Sequence, residues 1–284
     1  MISRVLLLSM ALWAMAGGCT LDAAASPSQA PHAGISVGYD GFVNWDFHHR
    51  MKLVGWKTTA LMIQRTLDLW YPQHSRFSIV ENGPPAAFEE FLHALPGEKE
   101  CDISIVYLAS HQSPVAEWDF TQRKYLTLKR ALQETSIAPH PGRIVILDAC
   151  YAAAALHQPL WQQTFAPVTL FASSAYEETP DVNFHDSRPV DFARRYPEAY
   201  AWLKKNLGWG WDGRISFLGF VWVQSFVTSK APPANMGDWI HFLQRCQAVA
   251  ADFRNNVSRT PSSEVTASIN GRDAYKCAKQ NPDN

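Results

Sequence analysis

Charge is what this sequence has little of. Only 18% of its 284 residues are Asp, Glu, Lys or Arg, and 25 basic residues stand against 26 acidic ones, a formal net charge of -1. Without a basic excess there is no electrostatic footprint for nucleic acid, so no nucleic-acid partner is expected. Cysteine is scarce as well: five residues are too few for a disulfide scaffold, and each needs its own reason. Past the N-terminus no apolar run approaches the roughly 20 residues that span a bilayer. The most apolar of them, 215–227, reads as a core helix or strand. Metal-ligand spacing is missing too. Asp46 with His48-His49 has no i,i+4 pair, Asp181 and His185 (with Asp186 beside it) are four apart where no helix is expected, neither group has a third defined ligand, and no acidic cluster matches a calcium loop. No metal and no cofactor are expected. What the chain does have is 47% hydrophobic residues, which excludes a disordered tail protein and supports one large buried core.

The N-terminus reads as an export signal over residues 1–18. Arg4 supplies a positive start, Val5 to Ala16 an apolar stretch, and Gly17-Gly18 small residues before Cys19. Ala16-Gly17-Gly18-Cys19 resembles the bacterial lipobox, in which the cysteine becomes the lipidated N-terminus, although Leu is commoner than Ala three residues before it. The rival is ordinary signal-peptidase cleavage near Ala23-Ala24-Ala25. Both readings export the chain, to the periplasm, to an outer-membrane lipid anchor or to the medium. Residues 19–34, rich in Ala, Ser and Pro, then form a tether, 35–254 the folded domain and 255–284 a polar, poorly patterned tail.

Within the domain, short apolar runs alternate with amphipathic stretches. Strands are expected at 35–39, 77–80, 102–109, 143–147 and 168–172, and helices at 53–70, 84–94, 125–135, 151–163, 199–206 and 239–253, with 183–196 loop-like. The runs at 102–109 and 143–147 are almost unbroken, as in strands covered on both faces. Alternating strands and helices imply crossover connections, a mainly parallel sheet and a three-layer α/β/α sandwich. In such sheets chemistry gathers at the carboxyl ends of the strands.

Two reactive side chains stand there. His111 follows the strand Ile103-Ser104-Ile105-Val106-Tyr107-Leu108-Ala109, and Cys150 follows Ile144-Val145-Ile146-Leu147 through Asp148-Ala149. A strand-end His alone is usually hydrogen-bonded or exposed, and a Cys after a buried strand is usually inert packing. Parallel neighbouring strands would bring the two to one rim, where an imidazole can support a thiolate and protonate a leaving amine.

The motifs resemble a known family. Tyr107-Leu108-Ala109-Ser110-His111-Gln112 looks like the strand and "GHG" element of caspase-like cysteine peptidases, the superfamily of caspases, metacaspases, legumains and gingipains. Arg143-Ile144-Val145-Ile146-Leu147-Asp148-Ala149-Cys150-Tyr151 looks like their strand and "DACYSG" element, and Thr169-Leu170-Phe171-Ala172-Ser173-Ser174-Ala175 is similar to the strand that follows. The likeness spans roughly residues 35–250 in element order. The 39 residues between His111 and Cys150 are somewhat fewer than the about 50 of caspases.

The resemblance implies a caspase-like fold and an endopeptidase acting on peptide or protein substrates. It makes Cys150 the nucleophile, His111 the general acid/base, and the backbone N–H groups of Cys150 and Gln112 the oxyanion hole. Asp148, two residues before the nucleophile, would line the S1 pocket and select Arg or Lys at P1; the plainer alternative is an Asp that hydrogen-bonds the strand end. Departures from the pattern are Gln112 in place of the Gly after the His, and Ala152-Ala153 in place of Ser-Gly. They leave a second reading open, a catalytically impaired lipoprotein that binds peptides or proteins.

Other signals carry less. Gly34-Ile35-Ser36-Val37-Gly38 matches G-x-S-x-G, but no strand precedes it and no helix follows, so a serine nucleophile is not expected. Trp209-Gly210-Trp211-Asp212-Gly213 reads as loop anchoring. Cys246 and Cys277 form a candidate disulfide that would pin the tail, and Cys101 has no evident partner.

Overall fold

The computed structural model describes residues 31–39, 42–44, 50–52, 54–81, 85–109, 111–112, 117–120, 124–127, 137–149, 169–172, 181–183, 192–208, 214–256, 266–269 and 272–273. In chain order these give β1 (Ala33–Tyr39), β2 (Phe42–Asn44), β3 (Arg50–Lys52), α1 (Val54–Trp70), β4 (Ser75–Glu81), α2 (Pro85–His93), β5 (Ile103–Ala109), β6 (His111–Gln112), β7 (Glu117–Phe120), β8 (Lys124–Thr127), β9 (Arg143–Asp148) and β10 (Thr169–Ala172). There follow β11 (Asp181–Asn183), α3 (Phe192–Arg195), α4 (Pro197–Leu207), β12 (Arg214–Ser216), α5 (Phe217–Val227), α6 (Met236–Asn256), β13 (Thr266–Ile269) and β14 (Arg272–Asp273).

The central sheet runs β14-β13-β10-β9-β5-β1-β4. Its five strands from β10 to β4 are parallel, while β13 and β14 are antiparallel. The mainly parallel α/β sheet expected from the alternation is therefore present. Both of its faces are covered, because alternate residues of the middle strands face different layers. Ile35, Val37, Ile105, Tyr107, Ile144 and Ile146 join the large apolar cluster with α1, α4, α5 and α6. The intervening Val106, Leu108, Val145 and Leu147 are equally buried but lie outside that cluster. On their side α2 packs along β4 and buries Phe88, Phe91 and Leu92. A strand buried at every position on both faces has this place in a fold.

The large cluster is unusually aromatic. Trp70 of α1 and Trp222 of α5 lie 6.3 Å apart between ring centres, and Trp222 meets Phe242 of α6 edge-on at 4.9 Å. The Trp222 indole N–H donates to Thr66 Oγ1 at 2.8 Å, so a buried donor is satisfied inside the cluster. Gly219 permits the close approach of α5 to α1, since a Cβ there would run into the Thr59 side chain and come within 2.8 Å of Ile215 Cγ1.

Several expectations are revised. Residues 125–127 form strand β8 rather than the start of a helix, held by antiparallel pairing with β7. The 215–227 run is both things offered for it, ending β12 and then forming α5, with Ser216 as the N-cap between them. Within the segment read as a tail, residues 266–269 and 272–273 are strands of the central sheet. The Ala-rich stretch 151–163 lies outside the described residues.

Candidate active site

The two strands that lead to the predicted pair are direct neighbours. β5 pairs with β9 in parallel, with Tyr107 opposite Ile146 and Ala109 opposite Asp148. His111 and Cys150 are each two residues beyond the last of these paired positions. The strand order reverses one strand away, between β1 and β5. From β1 the chain steps outward to β4, then crosses back to β5 and continues through β9 to β10. Ligand crevices in open α/β sheets lie at such a switch point, past the carboxyl ends of the strands.

Beyond Ala109 the backbone leaves the main sheet. His111 and Gln112 form β6, which pairs with β7 so that His111 stands opposite Asp119 and Gln112 opposite Trp118. The β6-β7-β8 ribbon thus fixes the backbone that follows β5. Cys150 lies outside the described residues, as do Cys19, Cys277 and the Trp209–Gly213 motif.

Asp148 is fully buried at the end of β9. Its Oδ2 accepts from Tyr107 Oη at 2.9 Å and from Ser216 Oγ at 2.6 Å. The hydroxyl directions around Ser216 follow from this. A serine has one proton to give; with that proton on Asp148, its oxygen accepts from Gly219 N–H at 3.1 Å and from the Thr59 hydroxyl at 2.8 Å. Thr59 Oγ1 in turn accepts the Ser216 N–H at 3.1 Å. Both donors thus meet one oxygen of Asp148 beside the N-terminal end of α5. Tyr107, Thr59 and Ser216 were not singled out in the sequence, because their meeting depends on the sheet register and on the docking of α5.

At the opposite rim stands a second Cys–His pair, Cys101 and His140, with Sγ 3.5 Å from Nε2. His140 Nδ1 accepts the Gly142 N–H at 3.1 Å, which places its proton on Nε2, where it donates to the Cys101 carbonyl at 3.0 Å. The ring therefore offers the thiol no base. Burial pushes the Cys101 thiol up to about 11 and lowers His140 below its usual range. Arg143 beside them donates to the Pro96 carbonyl at 2.6 Å and to Ser104 Oγ at 3.3 Å. This cluster locks the loop before β5 to the start of β9, and it gives Cys101 the partner that the sequence did not reveal.

Cys246 is a free thiol on the buried face of α6, so the clamp expected with Cys277 is not formed at that residue. Burial pushes it up to about 12. Ser36, the central residue of the G-x-S-x-G match, is buried inside β1 and so stands on no strand-to-helix elbow. Among the described residues no group of three or more His, Cys, Asp or Glu could hold a metal ion, and no helix is long and apolar enough to cross a membrane.

No protein-family profile matches the chain. No curated protein matches it. Solved structures do match, among them one described as pro-sf-caspase-1, with a TM-score of 0.49 and 11% identity over 85% of this chain and 92% of that one. So distant a likeness says nothing of activity, which must be argued from residues.

Proposed function

We propose that the chain is an exported cysteine endopeptidase of caspase-like type that cleaves peptide bonds with a Cys150–His111 dyad, after Arg or Lys. The observation that supports this reading is the β5–β9 register: Ala109 lies opposite Asp148 on adjacent parallel strands, and His111 and Cys150 each follow two positions later in the sequence. The Cys150 thiolate attacks the scissile carbonyl carbon, and the N–H groups of Cys150 and Gln112 receive the oxyanion. Each such donor contributes roughly 3 kcal/mol to lowering the barrier. His111 gives its proton to the leaving amine, then removes one from the water that hydrolyses the Cys150 thioester. The preference for a basic P1 residue rests only on the place of Asp148 in the sequence, two residues before Cys150, since its side chain is buried and held by Tyr107 and Ser216. Cys19 would anchor the mature chain to a membrane by lipid alone.

Purified mature protein and its Cys150→Ala variant, tested on fluorogenic peptides that vary at P1 together with a thiol-directed probe, decide the matter. The reading expects probe labelling at Cys150 and cleavage that the variant loses by at least about 10³-fold. Wild type and variant equally silent with every peptide and the probe would leave the second reading, a peptide-binding protein without turnover. Gln112 and Ala152-Ala153, at positions where the family carries Gly or Ser-Gly, are what favour it. Cleavage after other residues would remove only the role of Asp148 in the pocket.

A further inference from the structure

One buried acid, Asp148, joins the two strands that lead into the proposed site. Asp148 ends β9 two residues before Cys150, and Tyr107 lies on β5 four residues before His111. Their side chains meet at 2.9 Å. Ser216, the N-cap of α5, reaches the same oxygen at 2.6 Å, and Thr59 of α1 holds Ser216 through its N–H and its hydroxyl. Tyr107 and Asp148 are not register partners, since Tyr107 pairs with Ile146. Their hydrogen bond is therefore a diagonal brace across the two strand ends, added to the ladder itself.

We propose that Tyr107 and Ser216 are positioning residues for the reaction: acting through Asp148, they fix the β5 and β9 ends, and with them His111 relative to Cys150. This rests on the dyad reading above. Proton transfer and attack tolerate little displacement, and misplacement by about 1 Å costs on the order of 100-fold in rate. Tyr107→Phe removes one donor while keeping the buried ring, and Ser216→Ala removes the other. Each is expected to lower kcat by about 10-fold with KM within about twofold, alike for every P1 residue the enzyme accepts. Ser216→Thr keeps a hydroxyl and restores kcat. The double variant loses less than the product of the two single losses, because both act on one carboxylate.

A second measurement does not depend on turnover. Amide hydrogen exchange is followed in the full chain over segments 105–112 and 144–150; Tyr107→Phe is expected to speed exchange at both strand ends together. The proposal is overturned if the variants lose thermal stability while kcat stays unchanged, or if only turnover of Arg and Lys peptides falls, since the hydroxyls would then serve the pocket. Exchange in Tyr107→Phe that is unchanged at either strand end also overturns it, whatever the activity. A wild-type protein that neither cleaves nor takes up the probe defeats the dyad reading alone, and the exchange experiment still decides whether the brace exists.

Discussion

Cys and His occur at both ends of one strand pair, and at its start hydrogen bonds and burial hold them in an unreactive form. At the start of β5 and β9, His140 has its proton on the nitrogen facing Cys101, and burial keeps the thiol protonated up to about 11. Cys101 and Cys246 are therefore expected to resist alkylation in the native protein and to react only on unfolding, which mass spectrometry after a brief iodoacetamide pulse would read site by site. Prompt native labelling of Cys101 would defeat the assignment of the Nε2 proton. The cluster also sets a pH window. His140 binds a proton less readily when folded, so below its usual 6.5 the unfolded chain takes up protons first and stability falls as pH falls. Cys101 keeps its proton above the usual 9.0, so between 9.0 and about 11 the unfolded chain releases protons first and stability falls as pH rises. Melting temperature against pH should accordingly be flattest between about 6.5 and 9, with His140→Gln weakening the acid slope and Cys101→Ala the alkaline slope. Unchanged slopes in both variants would show that other groups dominate. None of this could be read from the sequence, where Cys101 had no visible partner because parallel pairing alone brings position 140 beside it.

Elements were legible where one local pattern could have only one meaning. The unbroken apolar runs of β5 and β9 announce strands covered on both faces, and both are there, within a residue of the expected bounds. Where two structures suit the same residues, the tertiary partner decides. Tyr125-Leu126 fits a helix or a strand equally well, and pairing with β7 makes it a strand. The 215–227 run turns from strand to helix at Ser216 because the side chain of that residue accepts the Gly219 N–H, satisfying one of the donors that a helix start leaves open. Three residues on, Gly219 is the point where α5 touches α1. Gly219→Ala should destabilise the fold by roughly 1–3 kcal/mol, since the added methyl meets Thr59 and Ile215 in a packed interior. Urea unfolding would show it as a lower midpoint with unchanged slope. Stabilisation, as expected from helix propensity alone at this position, would mean that α5 can move away from α1. Thr66→Val leaves the Trp222 indole without its acceptor and should cost a further 1–3 kcal/mol, approximately, in the same assay.

At the scale of the whole molecule, the sequence is plainest in the parallel strands of the central sheet and least plain in its last segment. A mainly parallel sheet follows from alternation and from two strong strands, and the hydrogen bonds of Asp148 add a connection between layers that alternation does not express. The C-terminal segment reads as a tail because Thr266-Ala267-Ser268-Ile269 is short and polar, as edge strands are when little of them faces the core. In the fold it lies antiparallel to β10, with Thr169 opposite Ile269 and Ala172 opposite Thr266, and β14 closes the sheet outside it. These strands shield the free edge that β10 would otherwise present. A chain ending at residue 265 should therefore lose on the order of 2–4 kcal/mol, as a four-residue ladder is worth, and should self-associate through the bared edge of β10. Thermal unfolding and size-exclusion chromatography against concentration would test both effects. Because β10 lies next to β9, the truncation is also expected to reach the rim, lowering turnover more than the change in folded fraction explains. A truncated chain that stays monomeric, melts like the full chain and keeps its activity would show that β13 merely rests on the sheet and that β9 and β5 alone hold the rim in place.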